Sequence, residues 1–259
     1  MAIIYPSVEH ERAALAVTDF FAGQEVDAVL LTCPCARGKA VRGSCLDISI
    51  LVSLTKAADP SMFHVKQSWE KHYESAEAFR ELNKLGKYSH ADLDFTDGHF
   101  EPQDWGWIGG PDNFELEIGN IVAYSVPLLE QTNYFQRLRG KWLPYYSDEL
   151  RRERLAQARK YCPNNLDHIL PYVERDLHFQ AFQRLHNASR EFLQALCISR
   201  RIYPIAYDKW IREQIEDILG MPELYRQFVS LLEITHFESL EIAQKAAELE
   251  SLFHVYIVD

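Results

Sequence analysis

The chain has 259 residues, of which 47% are hydrophobic and 25% charged, a composition typical of a globular protein with one large domain or two smaller ones. Its formal net charge of −11 argues against nucleic acid as a partner, because a basic surface supplies most of the affinity for phosphate backbones. No apolar run reaches the ~18 residues of a membrane span, and the N-terminus lacks a basic and then apolar leader, so we expect a cytoplasmic protein with no membrane partner.

The first predicted elements are a helix and two strands. Apolar residues at helical spacing over residues 8–22 predict a helix that ends near Gly23. A short β-branched run over residues 26–32 predicts a strand. After a basic, glycine-containing loop, alternation over residues 46–52 predicts a second strand, with Asp47 and Ser49 on one face.

In the middle of the chain, the sequence pattern predicts a helix over residues 68–86 and two further strands, at 91–95 and 114–118. An aromatic loop joins these two strands. We interpret its Trp105 and Trp107 as packed loop anchors, with pocket lining as the alternative.

From about residue 128 the pattern becomes helical. A buried helix is predicted over residues 174–200, followed by amphipathic helices near 207–219, 222–234 and 238–253. Helices joined by short connections are typical of a bundle. We therefore predict an α+β protein, with a mixed-sheet domain over residues 1–135 and an α-helical bundle over residues 136–259.

Three of the five cysteines, Cys33, Cys35 and Cys45, lie close together in the sequence. A zinc site needs four ligands at spacings such as CxxC, and this trio has neither that spacing nor an obvious fourth ligand. An odd number of cysteines also argues against a disulfide framework. We interpret these residues as small thiols rather than zinc ligands.

The segment from Cys33 to Ala40, with the strand over residues 46–52, resembles the signature of the polymerase-β-like nucleotidyltransferases. In that superfamily Gly-Ser opens a loop that often reads A-R-G-x-A, and the next strand carries D-x-D or D-x-E. Residues 173–179 and 208–210 are similar to the helical half of antibiotic nucleotidyltransferases of the kanamycin type. The resemblance implies an enzyme that binds an NTP, with ATP as the first candidate, and Mg²⁺, and transfers a nucleotidyl group to a hydroxyl acceptor.

The resemblance also implies roles for particular residues. The implied metal ligands are Asp47, Glu115 and Glu117, and the implied general base is Glu174. The residues expected to contact the nucleotide are Arg37, Gly38, Lys39, Arg42, Ser44, Ser49 and Lys209, and His178 is a further candidate for a phosphate contact. The two glutamates at 115 and 117 are expected to share one face of their strand.

Two departures from the family pattern leave an alternative open. Cys33-Pro34 stands in place of Gly-Ser, which removes a glycine, a hydroxyl and one N–H donor. Ser49 stands in place of the second carboxylate, and a hydroxyl is a weak Mg²⁺ ligand. The alternative is therefore a catalytically degenerate homologue that acts as a nucleotide-binding or protein-interaction module.

The partner expected for an active enzyme is a small acceptor with a hydroxyl group. The acidic chain suits a cationic acceptor, such as an aminoglycoside-like compound. The sequence leaves the oligomeric state open, with a homodimer as one alternative.

Overall fold

The computed structural model describes residues 3–103 and 109–258, so Trp105 and Trp107 lie outside the described residues. The chain forms two compact units. The N-terminal unit comprises the residues up to Phe100 together with Glu117–Pro144, and the helical unit comprises Glu101–Leu116 together with the residues from Tyr145 onward. The predicted α+β class is confirmed. The sequence prediction divided the chain after residue 135, whereas in the structure residues 101–116 belong with the helical unit.

The elements from the N-terminus to Pro144 include four strands. In chain order they are α1 (Val8–Ala22), β1 (Ala28–Leu31), α2 (Cys33–Ala36), β2 (Leu46–Leu51), α3 (Leu54–Ala57), α4 (Ser61–Ser75), α5 (Glu77–Asn83), β3 (Ala91–Thr96), α6 (Phe114–Ile118), the π-helical turn Gly119–Ala123, β4 (Val126–Glu130) and α7 (Tyr134–Trp142).

These strands form one mixed sheet in the order β3-β2-β1-β4. β2 and β3 are parallel, while β1 is antiparallel to both β2 and β4. One face of β2 carries Ile48 and Ile50, which pack with Val17 and Phe21 of α1 in a buried cluster. Because side chains alternate along a strand, Asp47 and Ser49 lie on the opposite face, as predicted.

Local signals account for the position of α1. Ser7 precedes the helix and its hydroxyl accepts a hydrogen bond from the His10 amide, and Gly23 follows the last turn. The prediction of one helix over residues 68–86 is wrong. α4 and α5 are separate helices because Ala76 between them is extended, with ψ at 135°.

Two predictions in the middle of the chain are also wrong. Residues 114–118 form the helix α6 instead of a strand, since Phe114 and Ile118, four residues apart, also lie on one side of a helical turn. The strand β4 was missed because the sequence prediction began the helical region at about residue 128, and β4 contains Pro127. Proline is tolerated on an edge strand, and the β1–β4 register shifts between Val29 and Leu30, beside the proline.

The helical unit is built around one long buried helix. Its helices after Pro144 are α8 (Asp148–Asp167), α9 (Ile169–Val173), α10 (His178–Ser199), the π-helical turn Glu213–Ile218, α11 (Pro222–Ser230) and α12 (Glu241–Tyr256). Leu185, Phe192 and Leu196 of α10 are fully buried in its apolar core. In residues 3–103 and 109–258, no helix combines the length and the apolar character needed to cross a membrane.

Candidate functional site

Hydrogen bonds connect the residue after β1 to Asp47 of β2, the predicted metal ligand. Both the amide and the hydroxyl of Thr32 donate to the carbonyl oxygen of Asp47, at 3.0 and 3.2 Å. The next residue, Cys33, has φ of 55°, and Pro34 follows it within α2. Left-handed backbone is the conformation that glycine adopts at no steric cost. The chain therefore has a glycine-like backbone where the nucleotidyltransferase signature has its glycine, but a cysteine occupies it.

The loop from α2 to β2 holds the basic residues that the sequence assigned to phosphate. Lys39 and Arg42 are exposed and Arg37 is half-buried. Four amides that could contact phosphate are already used within the chain. The Gly38 amide donates to the Cys35 carbonyl, and the Lys39 amide donates to the Pro34 carbonyl. The Val41 amide donates to the Ser44 hydroxyl, and the Ser44 amide donates to the Val41 carbonyl. Because these four amides are engaged within the chain, the basic side chains of the loop are the expected phosphate contacts.

β3 brings two carboxylates beside Asp47 and Ser49 that the site prediction missed. In the parallel register, Asp47 lies opposite Asp92 and Ser49 lies opposite Asp94. Registered residues of adjacent strands point to the same face, and the strands are about 4.8 Å apart. The signal was visible in the sequence, since Asp92 and Asp94 alternate with Leu93, but nothing local indicated that β3 would pair with β2.

One thiol contacts the Asp47 carboxylate, and a second thiol lies beside the first. The Cys45 thiol donates to both carboxylate oxygens of Asp47, at 3.1 and 3.2 Å, and the Cys35 thiol donates to the Cys45 carbonyl at 3.5 Å. Burial, followed by the influence of Asp47, raises the pKa of both thiols to about 12. Both thiols therefore hold their protons at neutral pH.

Glu115 is fully buried in the helical unit, where charged and polar partners surround its carboxylate. Arg154 donates to both of its oxygens, at 2.8 and 2.7 Å. Tyr146 donates to Oε1 at 2.9 Å, and Gln194 donates to Oε2 at 2.9 Å. The Arg154 guanidinium already neutralises the Glu115 carboxylate, so the surroundings of Glu115 do not support its predicted role as a metal ligand.

Glu117 lies on α6, so the expected common face of Glu115 and Glu117 is wrong. Residues two apart on a helix are separated by about 200° around its axis, whereas residues two apart on a strand share a face. Across residues 3–103 and 109–258, no group of three or more His, Cys, Asp or Glu side chains is arranged to hold a metal ion. The convergence of Asp47, Glu115 and Glu117 on one ion remains a prediction.

The remaining predicted residues lie in the helical unit. Glu174 is exposed and caps the C-terminus of α9, whereas the sequence placed it at the start of a helix. Lys209 is exposed, and its carbonyl accepts a hydrogen bond from Gln214. His178 begins α10 and lies 3.8 Å from the Asp176 carboxylate. The roles of Glu174 as a base and of Lys209 as a phosphate contact remain predictions.

Comparison with known proteins finds similarity among solved structures only. No family model matches the chain, and no curated protein matches it. Among solved structures, the chain is similar to a nucleotidyltransferase-like protein from Exiguobacterium sibiricum 255-15, with 12% sequence identity and a TM-score of 0.46. The match covers 95% of this chain and 74% of the other.

Proposed function

We propose that the chain is a nucleotidyltransferase-type protein that binds an NTP, with ATP as the first candidate, and Mg²⁺. It transfers a nucleotidyl group to a small acceptor that carries a hydroxyl group. The observation that supports this proposal is the face of the sheet formed by β2 and β3, where Asp47 follows the basic loop and lies beside Asp92. Strand, basic loop and acidic strand are the parts that a phosphoryl-transfer site of this type needs.

The chemical character of this face fits Mg²⁺. Magnesium usually binds one or two carboxylates and takes its other ligands from water and substrate phosphates. Asp47 and Asp92 would supply the two carboxylates, so a third protein ligand is not required. Asp94 lies in register with Ser49, and we propose that it compensates for the carboxylate that is missing at Ser49.

The basic loop would bind the phosphates through its side chains. Lys39 and Arg42 are exposed, and each presents donors that suit phosphate oxygens. Ser44 holds the loop in shape, because its hydroxyl accepts the Val41 amide at 3.0 Å. Gly38 has φ of 68° and permits the tight turn between the α2 helix and Lys39.

The proposed reaction is an in-line transfer. The acceptor oxygen forms a bond to the α-phosphorus of the NTP, the bond from that phosphorus to the pyrophosphate oxygen breaks, and pyrophosphate leaves. The acceptor proton passes to a general base, for which Glu174 remains the candidate that the family resemblance suggests. When bound, Mg²⁺ would neutralise negative charge on the phosphates. The negative net charge of the chain supports a cationic acceptor.

Calorimetric titration of ATP in the presence of Mg²⁺ tests the proposal. The variant Lys39→Glu/Arg42→Glu should weaken ATP binding about tenfold or more, since charge-assisted hydrogen bonds contribute about 1.5–3 kcal/mol each. The matched control Lys71→Glu/Arg137→Glu changes the same charge at exposed positions of the same unit and should retain the wild-type affinity. Unchanged ATP affinity in the loop variant contradicts the proposal.

A second measurement separates an enzyme from its degenerate alternative. Cys33-Pro34 and Ser49 favour that alternative, because each removes a group that the signature normally supplies. Pyrophosphate release with a panel of hydroxyl acceptors, including aminoglycosides and lincosamides, supports transfer. ATP binding without release on any acceptor supports a nucleotide-binding module.

A further inference from the structure

The helical unit contains a cleft of about 750 Å³ along one side of α8. Pockets of about 300–1,000 Å³ are typical of small-molecule sites. Among the described residues, the charged side chains that line the cleft are mostly basic, with one carboxylate. The charged residues that line it are Arg151, Arg152, Arg159, Lys160, Arg201 and Asp148. We refer to it as the basic cleft.

The spacing along α8 concentrates these charges on one face. Arg152, Ala156 and Lys160 follow one another at intervals of four residues, so they lie in a row on the helix surface. Ala156 is small, so space remains between the two cationic side chains. Leu155, which is buried, contributes apolar surface to the same cleft. The row therefore offers two exposed cations at either side of a gap.

Arg201 adds a guanidinium from the end of α10. It is the first residue after the Arg200 cap and has φ of 54°. Its amide donates to the Ile198 carbonyl, and the Ile202 amide donates to the Cys197 carbonyl, the two bonds of a Schellman motif. Glycine is the usual residue at this left-handed position, and arginine there strains the backbone. The arginine keeps a positive charge at the edge of the cleft.

Among the described residues that line the cleft, the cationic side chains outnumber the single carboxylate, Asp148. Asp148 pairs with Arg201 at 2.5 Å, and that arginine, more than Arg151 and Arg152, lowers the pKa of Asp148. Arg151 is held in place by the Ile198 and Ser199 carbonyls, which are neutral groups. Like charges at neighbouring positions of a helix repel one another. In a chain with net charge −11, such a concentration of cations favours an anionic ligand.

We propose that the basic cleft binds the di- or triphosphate group of a small phosphorylated ligand. Arginine guanidinium groups match phosphate oxygens with paired hydrogen bonds, and several cations suit a group with several negative charges. The size of the cleft and the acidic chain favour a small ligand over a nucleic acid. This site is separate from the nucleotide site proposed for the N-terminal unit, and it does not depend on that proposal.

Titration of inorganic tripolyphosphate by calorimetry tests the proposal in the full chain. Every protein in the test carries Lys39→Glu/Arg42→Glu, which removes the basic loop as a phosphate site. Against this background, Arg152→Glu/Lys160→Glu should weaken tripolyphosphate binding about tenfold or more. The control Arg175→Glu/Arg226→Glu makes the same change of charge at exposed positions of the same unit and should change the affinity less than about twofold.

Each further outcome decides the question. The neutral variant Arg152→Gln/Lys160→Gln should also weaken tripolyphosphate binding. Because it introduces no acidic side chains, and because circular dichroism checks its folding, it shows whether the glutamates of the first variant merely disrupted the structure. No binding to the background protein, or equal loss in the cleft variant and its control, overturns the proposal. ATP that binds as tightly as tripolyphosphate identifies the phosphate chain as the recognised group. A short RNA that competes more strongly than either ligand contradicts a small-molecule site.

The two proposals fail separately. If substitution of the basic loop leaves ATP affinity unchanged but the cleft variant binds tripolyphosphate more weakly, only the proposal of the nucleotide site is wrong. If ATP binding depends on the loop and the cleft variant binds tripolyphosphate normally, only the basic cleft is wrong.

Discussion

Arg154 and Glu115 form a bidentate ion pair in the interior of the helical unit, with Nε 2.8 Å from Oε1 and Nη2 2.7 Å from Oε2. The two side chains are 1% and 0% exposed. Arg154 also pairs with Asp112, and Gln194 donates to both carboxylates. Burial alone would lower the pKa of Arg154, but Glu115 and Asp112 more than compensate and raise it. The network therefore keeps Arg154 charged.

Removal of Arg154 should leave two buried carboxylates without their cation. We expect Arg154→Met to lower the free energy of unfolding by about 3–5 kcal/mol. Urea denaturation followed by circular dichroism measures the change. The control Arg175→Met removes an exposed arginine of the same unit and should cost less than about 0.5 kcal/mol. A similar small loss for both variants would show that the pair does not stabilise the unit.

Glu191 should make the stability of the protein depend on pH. Its carboxylate is fully buried and accepts hydrogen bonds from the Gly110 amide at 2.5 Å and from Asn165 at 3.0 and 2.9 Å. Burial outweighs these bonds and the nearby Arg184 and Arg190, and raises its pKa from 4.5 to about 7. Between those values the folded protein keeps a proton that the unfolded chain has lost, so stability falls as pH rises.

Between pH 4.5 and pH 7 the free energy of unfolding should fall by about 3 kcal/mol because of this group. Denaturation of the wild type and of Glu191→Gln across pH 5–8 measures it, because glutamine does not titrate. The difference between the two proteins should change with pH in the stated direction. Glu174→Gln, at an exposed position, should leave the pH dependence of the wild type intact. A constant difference between wild type and Glu191→Gln would contradict the raised pKa.

Cys33→Gly should stabilise the N-terminal unit. A non-glycine residue with φ of 55° is strained by about 1–2 kcal/mol, while glycine adds about 0.5–1 kcal/mol of entropy cost, so we expect a net gain of up to about 1 kcal/mol. Cys33→Ala is the matched control, because alanine removes the thiol but keeps the Cβ that causes the strain. Thermal denaturation distinguishes them. A gain in both variants would assign the effect to the thiol.

Local signals predicted much of the fold. The position of α1 follows from Ser7, from the spacing of its apolar residues and from Gly23. The alternation of residues along β2 places Asp47 on the face opposite the core. The sequence could not place Glu115, because Arg154, which neutralises it, is 39 residues away in the chain. Asp92 was missed for the same reason, since its position beside Asp47 depends on the pairing of β2 with β3.

Ser49→Asp tests whether Asp94 compensates for the missing carboxylate. Ser49 is 5% exposed and lies in register with Asp94. Loss of a charge-stabilising group typically lowers the rate about 10²–10³-fold, so Asp94→Asn should cause a loss of that order in nucleotidyl transfer. Ser49→Asp in the Asp94→Asn protein should restore much of the rate, measured as pyrophosphate release. If the wild type is active and Ser49→Asp alone lowers its rate of nucleotidyl transfer, the serine is a functional part of the site and not a defect.

The proposed function requires Asp47 to couple the binding of Mg²⁺ to that of the nucleotide. Calorimetric titration of ATP with and without Mg²⁺ measures this coupling. The wild type should bind ATP more tightly with Mg²⁺, and Asp47→Asn should abolish the difference, since magnesium bridges carboxylates and phosphates. Asp19→Asn, an exposed carboxylate on α1 in the same unit, is the control and should keep it. Equal Mg²⁺ dependence in Asp47→Asn and in the wild type would contradict the proposed coupling.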